Sequence, residues 1–319
     1  MATISAPTTI GLLPISGFAL MSYASVAEPL RAANLLAPEP LYEVQTLGSD
    51  PYVSSSGGAL VPCTHGFEAA LKCNLVCVIA GGSLNAFENA TVLSLLRKLA
   101  RNGVRLAGIS GGPVVLAKAG VMQGRRMTVH WEHAAALSET HDDLLLERSL
   151  FVIDRDRITC AGGTAPLDLM HALIAADHGA DLARRVSDWF MHTEVRPSGG
   201  PQRSGLVERV GTTTRAVLDA VEVMETHLAD PLSLGQLASI AGVSTRQLNR
   251  LFEAKLGTTT MGYYRKLRLE LAQRLLIQSK LSITEIAFAT GFAGSAHFSK
   301  AYSTEFGHSP SMMKKTILP

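Results

Sequence analysis

The sequence predicts two domains, an α/β domain on a parallel sheet followed by an all-α domain built on a duplicated helical unit. Three observations predict them. From residue 8 to about 190, short apolar runs alternate with longer helical patterns, as strands do when each feeds a crossover helix. A stretch at 196–201 then combines Pro, Gly and Ser without any apolar period. Beyond it the pattern is wholly helical and repeats itself at an offset of 49 residues, becoming 50 after one insertion at a turn. At 319 residues the chain is also longer than one hydrophobic core usually serves.

In the first domain the apolar runs place strands at 9–15, 42–47, 75–80, 105–110 and 157–161. Helical periodicity places helices at 19–36, 91–102, 113–119 and 166–176, the third opening on Pro113, a residue suited to a first helical turn. The run Ser54-Ser55-Ser56-Gly57-Gly58 predicts a loop or hairpin turn, and Asp154-Arg155-Asp156-Arg157 predicts a charged one. A further helix ends near Phe190. The expected division is therefore an α/β domain at 1–195, a linker at 196–205 and a second domain at 206–319.

The repeat in the second domain is long. Ser233-Leu234-Gly235-Gln236-Leu237-Ala238 and Gly242-Val243 are echoed by Ser282-Ile283-Thr284-Glu285-Ile286-Ala287 and Gly291-Phe292. In each copy a Ser caps a short helix, a small Ala lets two helices approach, and a Gly permits the positive φ of a sharp turn into a second helix. On that second helix Leu248, Leu251 and Phe252 face inward, which leaves Arg246, Gln247, Asn249 and Arg250 outward. These residue types suit base edges in a major groove, Arg on guanine and Asn or Gln on adenine. The second copy presents Ser295, Ala296, His297, Ser299 and Lys300, a set better suited to phosphate. Between the copies, 259–279 reads as one amphipathic helix with Tyr264, Leu267, Leu271 and Leu275 on a face. Its length of roughly 30 Å approaches one turn of DNA. Arg265, Lys266 and Arg268 on it are candidates for the intervening phosphates.

Charge is divided to match. Residues 1–204 carry 16 Lys and Arg against 18 Asp and Glu, whereas 231–319 carry 11 against 4, so the basic excess sits on the segment expected to meet phosphate. The segment 231–314 resembles the AraC/XylS module, most closely at 282–287, Gly291-Phe292, His297-Phe298-Ser299-Lys300-Ala301-Tyr302 and Phe306-Gly307-His308-Ser309-Pro310. That resemblance implies sequence-specific binding to double-stranded promoter DNA, activation through contact with RNA polymerase, and an N-terminal sensor or dimerisation domain.

In the first domain, Leu106-Ala107-Gly108-Ile109-Ser110-Gly111-Gly112 ends a strand and opens a helix, placing Ser110 on a tight strand-to-helix turn. Twenty residues on stands Thr128-Val129-His130-Trp131-Glu132-His133, and upstream Gly81-Gly82 ends another strand. Residues 8 to about 190 resemble the class I glutamine amidotransferase-like, PfpI-type superfamily, a parallel-sheet sandwich. Catalytic members of that superfamily carry a cysteine at the elbow, assisted by an acidic residue and a histidine. Here the elbow position is Ser110, the acid's position is Ser22, and His130 remains. A serine without an orienting carboxylate is poorly activated, so a pocket is expected without its chemistry, and an amidase or amidotransferase-like hydrolase using Ser110 and His130 is the rival reading.

The pairing of this domain with an AraC module resembles regulators of glycine betaine, carnitine and arginine catabolism, on residues 129–133, 154–157 and 160–168. The resemblance implies a small nitrogenous effector, and the candidate contacts are Ser22, Gly81, Gly82, Ser110, Gly111, His130, Trp131 and Glu132. Trp131 offers a cation–π face, Glu132 a negative charge, and Ser110 with the Gly111 N–H donors for a carboxylate. His133 and His141 read as structural or surface residues.

Other classes find little support. Cys63, Cys73, Cys77 and Cys160 lack CxxC spacing or a Cys/His cluster, so they read as reduced thiols, and no metal site or cofactor is expected. No Lys or Arg precedes Arg31, so a basic signal-peptide region is missing, and no run approaches the roughly 20 apolar residues of a membrane span. A cytoplasmic homodimer is the expectation.

Overall fold

In the computed structural model, which describes residues 6–317, the first domain runs through β1 (Thr8–Pro14), α1 (Leu20–Leu36), β2 (Tyr42–Thr46), β3 (Tyr52–Ser54), β4 (Leu60–Pro62), β5 (Leu75–Ala80), α2 (Ala90–Arg101), β6 (Arg105–Ser110), α3 (Gly112–Lys118), β7 (Arg126–Met127), α4 (Trp131–Thr140), β8 (Leu145–Leu146), β9 (Phe151–Asp154), β10 (Arg157–Cys160), α5 (Ala165–His178) and α6 (Ala180–Trp189). One sheet ordered β2-β1-β5-β6-β10-β9 organises it. The first five strands in that order are parallel, and β9 closes the edge antiparallel to β10. Helices cover both faces, which is why the central strands are apolar without interruption. In β5, Leu75, Cys77 and Ile79 join the core beneath α1, α5 and α6, while Val76, Val78 and Ala80 join the one beneath α2 and α3.

Each predicted strand and helix is present within two residues of its expected bounds, and 52–62 forms the expected hairpin. Further elements are additional, among them the short parallel pair of β7 and β8. Strand β9 pairs with β10 across a two-residue turn in which Arg155 adopts φ +59°, so the charged run is the tip of a hairpin. Helix α4 occupies Trp131–Thr140, where the sequence reading had only a site segment. Its N-cap is His130, whose Nδ1 accepts the Glu132 N–H at 3.4 Å, and none of the common capping residues marks its start. His133 is buried within it.

The chain divides into compact units at Met1–Gln202 and Arg203–Pro319. The expected linker at 196–205 is accordingly corrected: 196–202 is a strap fastened to the first unit. Asp168, 1% exposed, anchors its start. Its Oδ1 accepts His192 Nε2 and the Arg196 backbone N–H, both at 2.8 Å, and its Oδ2 accepts Arg196 Nε at 3.0 Å and Nη2 at 2.6 Å. Midway, Ser198 O accepts the Leu150 N–H at 2.8 Å, and Gly200 lies buried against Leu150. At the end, Gln202 Nε2 donates to Thr128 Oγ1, Val129 O and Ser149 O at 3.1, 3.1 and 2.7 Å. The strap is thus held from a distance, its backbone by the Asp168 carboxylate and the Leu150 N–H and its end by the Gln202 side chain.

The second unit contains α7 (Leu206–Val210), α8 (Arg215–Thr226), α9 (Leu234–Ile240), α10 (Thr245–Leu256), α11 (Thr260–Gln278), α12 (Ile283–Ala289), α13 (Ser295–Phe306) and α14 (Pro310–Ile317). Helix α11 packs against α8 and α10 and also against α12, α13 and α14. The single apolar face expected for it is therefore corrected. Leu269, Ala272 and Leu276 are buried along with Tyr264 and Leu275, whereas Leu267 and Leu271 are only half-buried.

Among the described residues no helix is long and apolar enough to cross a membrane, and no His, Cys, Asp and Glu group could hold a metal. The four cysteines are free thiols, and burial pushes Cys77 and Cys160 up to about 12, far from a reactive thiolate at neutral pH.

Removing the Asp168 carboxylate leaves Arg196 and His192 without their acceptor. Since Arg196 is partly exposed, Asp168→Ala is expected to destabilise the first unit by about 3 kcal/mol, the low end for a broken buried ion pair, as read from urea unfolding.

Candidate nucleic-acid interface and ligand site

The two helical repeats of the second unit are built alike. Ser233 and Gln236 form a reciprocal capping box at the start of α9, and Ser282 and Glu285 form its counterpart at α12. The turns that follow pass through Gly242 at φ +67° and Gly291 at φ +70°. Gly291 has a second constraint, since a Cβ there would stand 2.9 Å from the Ala229 and Leu228 carbonyl oxygens. Leu237, Ala238, Leu248 and Phe252 fill the first repeat, and Ile286, Ala287, Phe298 and Tyr302 fill the second. The loop entering each repeat is clasped from its far helix. Tyr264 Oη donates to the His227 carbonyl and accepts the Leu232 N–H, and fifty residues on Lys314 donates to the Leu281 carbonyl.

With those positions spent on packing, α10 exposes Arg246, Gln247 and Arg250, and α13 exposes Ala296, His297 and Lys300. Ser295 and Ser299 are half-buried. Among the described residues none of Arg246, Arg250, Arg265 and Lys300 forms an ion pair, whereas Arg209 pairs with Glu225 and Arg215 with Asp219. Unneutralised charge of this kind is what phosphate requires.

Two expected DNA contacts have other work. Asn249 is half-buried, and its Oδ1 accepts the Thr260 N–H at 3.1 Å, satisfying the first donor of α11. Its counterpart Ser299 faces no such demand, because α14 begins with Pro310, which has no N–H. Arg268 turns inward: its Nε donates to the Thr290 carbonyl at 2.7 Å and its guanidinium stacks 4.2 Å above the Phe292 ring. Both residues shape the second unit from within.

In the first unit the carboxyl ends of β1, β5, β6 and β10 meet at Ser110. This residue is the last of β6, is 7% exposed and holds φ +60°, a strained conformation for a side chain with a Cβ. Gly162, just past β10, lies so close that a Cβ there would stand 2.5 Å from Ser110 Cβ and 2.8 Å from its Oγ. Gly81 approaches the backbone of 17–19 in the same way, and Gly82 follows at φ +65° with open space beside it. The Ser110 hydroxyl has no hydrogen-bond partner among the described residues.

Two of the expected ligand contacts are likewise reassigned. Ser22 is fully buried and its Oγ accepts the Gly163 N–H at 2.9 Å, which holds the Gly162-Gly163 turn over Ser110. The Gly111 N–H donates to the Ala80 carbonyl at 3.0 Å, so it is not a free donor for a carboxylate. The His130 and Trp131 rings pack in a tilted arrangement with centroids 5.5 Å apart, and Glu132 beside them is exposed. Burial holds the His130 ring below its usual pKa despite the nearby Glu132, so the ring is neutral at pH 7. The segment is tied to β10 where Thr128 N–H donates to Thr159 Oγ1 at 2.9 Å.

The sequence reading missed Gly162, Gly163 and Gln202. A glycine pair ending a strand was the available signal for the first two, and nothing local marks Gln202.

Known proteins divide along the same lines. A DJ-1/PfpI family model matches residues 18–176 and a helix-turn-helix domain model matches 237–316. The HTH-type transcriptional regulator GlxA of Rhizobium meliloti (strain 1021) is 47% identical over 96% of this chain and 95% of its own length. The chain belongs to the AraC-type HTH transcriptional regulators that carry a DJ-1/PfpI domain. As a member it is a DNA-binding transcriptional regulator. The HTH-type transcriptional regulator CdhR of Pseudomonas aeruginosa is 40% identical over 97% of this chain and 91% of its own. An AraC family transcriptional regulator from Pseudomonas putida of known structure superposes with a TM-score of 0.54 at 26% identity, covering 58% of this chain and all of that one.

Replacing Asn249 tests its inward role. Asn249→Ala is expected to cost the second unit about 1 kcal/mol in urea unfolding, the worth of one capping bond. It is expected to weaken specific and scrambled DNA by the same factor, and a loss confined to specific DNA would return Asn249 to base reading.

Proposed function

We propose that this regulator responds to a small effector bound at the carboxyl end of its sheet and that the response leaves the first unit through the strap ending at Gln202. The Ser110 hydroxyl, on a strained and largely buried residue and without a protein partner, carries this reading. A hydroxyl placed this way is held in position by the fold and left available to a ligand oxygen. The His130-Trp131-Glu132 segment supplies an indole face and a carboxylate, chemistry that suits an ammonium or quaternary nitrogen. A zwitterionic or cationic nitrogen compound, contacted by Ser110, Trp131 and Glu132 beside Gly81 and Gly82, fits both ends. The hydrolase alternative is not adopted: the full-length relatives are regulators, and the serine at position 22 provides no carboxylate.

Transmission follows from connectivity. Gln202 is bonded to Thr128, Val129 and Ser149, on either side of the segment that carries His130 to Glu132, and the next residue begins the second unit. In that unit we assign base reading to Arg246, Gln247 and Arg250, and phosphate contact to Arg265, Ser295, His297, Ser299 and Lys300. Dimerisation through the first unit is supported by exposed Leu35, Trp189 and Met191, and activation through RNA polymerase completes the proposal for a cytoplasmic regulator.

Thermal unfolding of the full chain against a quaternary-ammonium carboxylate, a basic amino acid and a neutral amide tests the site. A charged ligand at about 100 times its Kd stabilises by about 2.7 kcal/mol. Ser110→Gly is expected to raise the stability of the free protein by about 1 kcal/mol, by releasing the strained φ, and to abolish the ligand-induced shift. A shift retained in Ser110→Gly, or largest for the neutral amide, contradicts the assignment.

A further inference from the structure

The first unit has a concave site at the opposite end of the sheet from Ser110. It is an open cleft of about 420 Å³ where α2 ends, the turn after α3 passes, and β10 begins. Four arginines line it: Arg97, Arg101, Arg125 and Arg157. Arg157 is buried, with Nε donating to the Val121 carbonyl at 3.0 Å and Nη1 to Asp156 Oδ2 at 2.8 Å. Arg125 reaches the same carboxylate, Nη2 standing 2.6 Å from Asp156 Oδ1. One carboxylate therefore serves two guanidinium groups. Arg125 Nη1 is buried and finds no acceptor. Arg97 and Arg101 lie four residues apart on one face of α2, are exposed, and form no ion pair among the described residues.

Two guanidinium groups share the Asp156 carboxylate, two more stand exposed and unpaired beside them, and the buried Arg125 Nη1 has no acceptor, so the cleft carries a local excess of positive charge with an unmatched donor. Burial and the neighbouring Arg125 both push the Arg157 pKa down, against the pull of Asp156. An anion relieves all of this at once. Guanidinium forks match phosphate oxygens in pairs, and the volume lies in the range of about 300–1,000 Å³ that small-molecule sites occupy. The lining includes no aromatic ring, so it offers no platform for a base. We propose that this cleft binds a compact phosphorylated anion carrying at least two phosphate charges, read through its phosphates alone.

Isothermal titration of the full chain with inorganic phosphate, pyrophosphate and ADP at low ionic strength tests it. Pyrophosphate is expected to bind at least tenfold more tightly than phosphate, and ADP no more tightly than pyrophosphate. Arg97→Gln with Arg101→Gln, both exposed and outside the core, is expected to weaken pyrophosphate at least tenfold, while Arg246→Ala with Arg250→Ala leaves it unchanged. The proposal is overturned if the α2 variant binds pyrophosphate like the parent, if the α10 variant loses it instead, or if the α2 variant loses affinity only for duplex DNA.

Discussion

The carboxylate of Asp168, buried in the first turn of α5 and accepting four hydrogen bonds, decides where the chain leaves the sheet. Without it, the Arg196 N–H and guanidinium lose their acceptor and the start of 196–202 loses its anchor. With it, the strap begins at a fixed point, runs past Leu150 and ends at Gln202 against Thr128, Val129 and Ser149. A buried charge paired this way is weak as a source of stability and strong as a source of position, because any other arrangement leaves the charge unmatched. A one-chain regulator needs position.

The two ends of the sheet then carry different chemistry. At the carboxyl end, close-packed glycines surround the strained Ser110, whose hydroxyl has no protein partner among the described residues. At the amino end of β6 and β10, arginines outnumber carboxylates. In the second unit, two copies of one capped and clasped motif are held by α11, whose residues are buried on both sides. Arg268 and Asn249 show the same economy: polar groups that face inward fix helix starts and turns, and the unpaired ones face out.

Much of this was legible in the sequence. The parallel strands were, because burial on both faces demands unbroken apolar runs, and so was the duplication, because Ser233 and Ser282, Gly242 and Gly291, and Phe252 and Tyr302 recur at fixed offsets. Helix α4 was hidden because His130 caps it in place of Ser, Thr, Asp or Asn. The strap was misread because a Pro, Gly and Ser composition excludes regular structure without saying whether the segment is docked, and its anchors lie 28 and 74 residues away. Asn249 was assigned by residue type and Ser22 by its position in the family resemblance, whereas their partners, the Thr260 and Gly163 N–H groups, are brought to them only by folding. The tight strand-to-helix turn at Ser110 was foreseen, and its positive φ and its cover by Gly162 were not.

The central claim is that the strap and the segment carrying His130 to Glu132 form one mechanical unit through Gln202. Hydrogen exchange on the full chain carrying Gln202→Ala tests it without knowledge of the effector. Faster exchange is predicted for 196–203 and for 128–149 together, with β1, β5 and β6 unchanged. Faster exchange confined to 196–203, with 128–149 as protected as in the parent, would contradict the account.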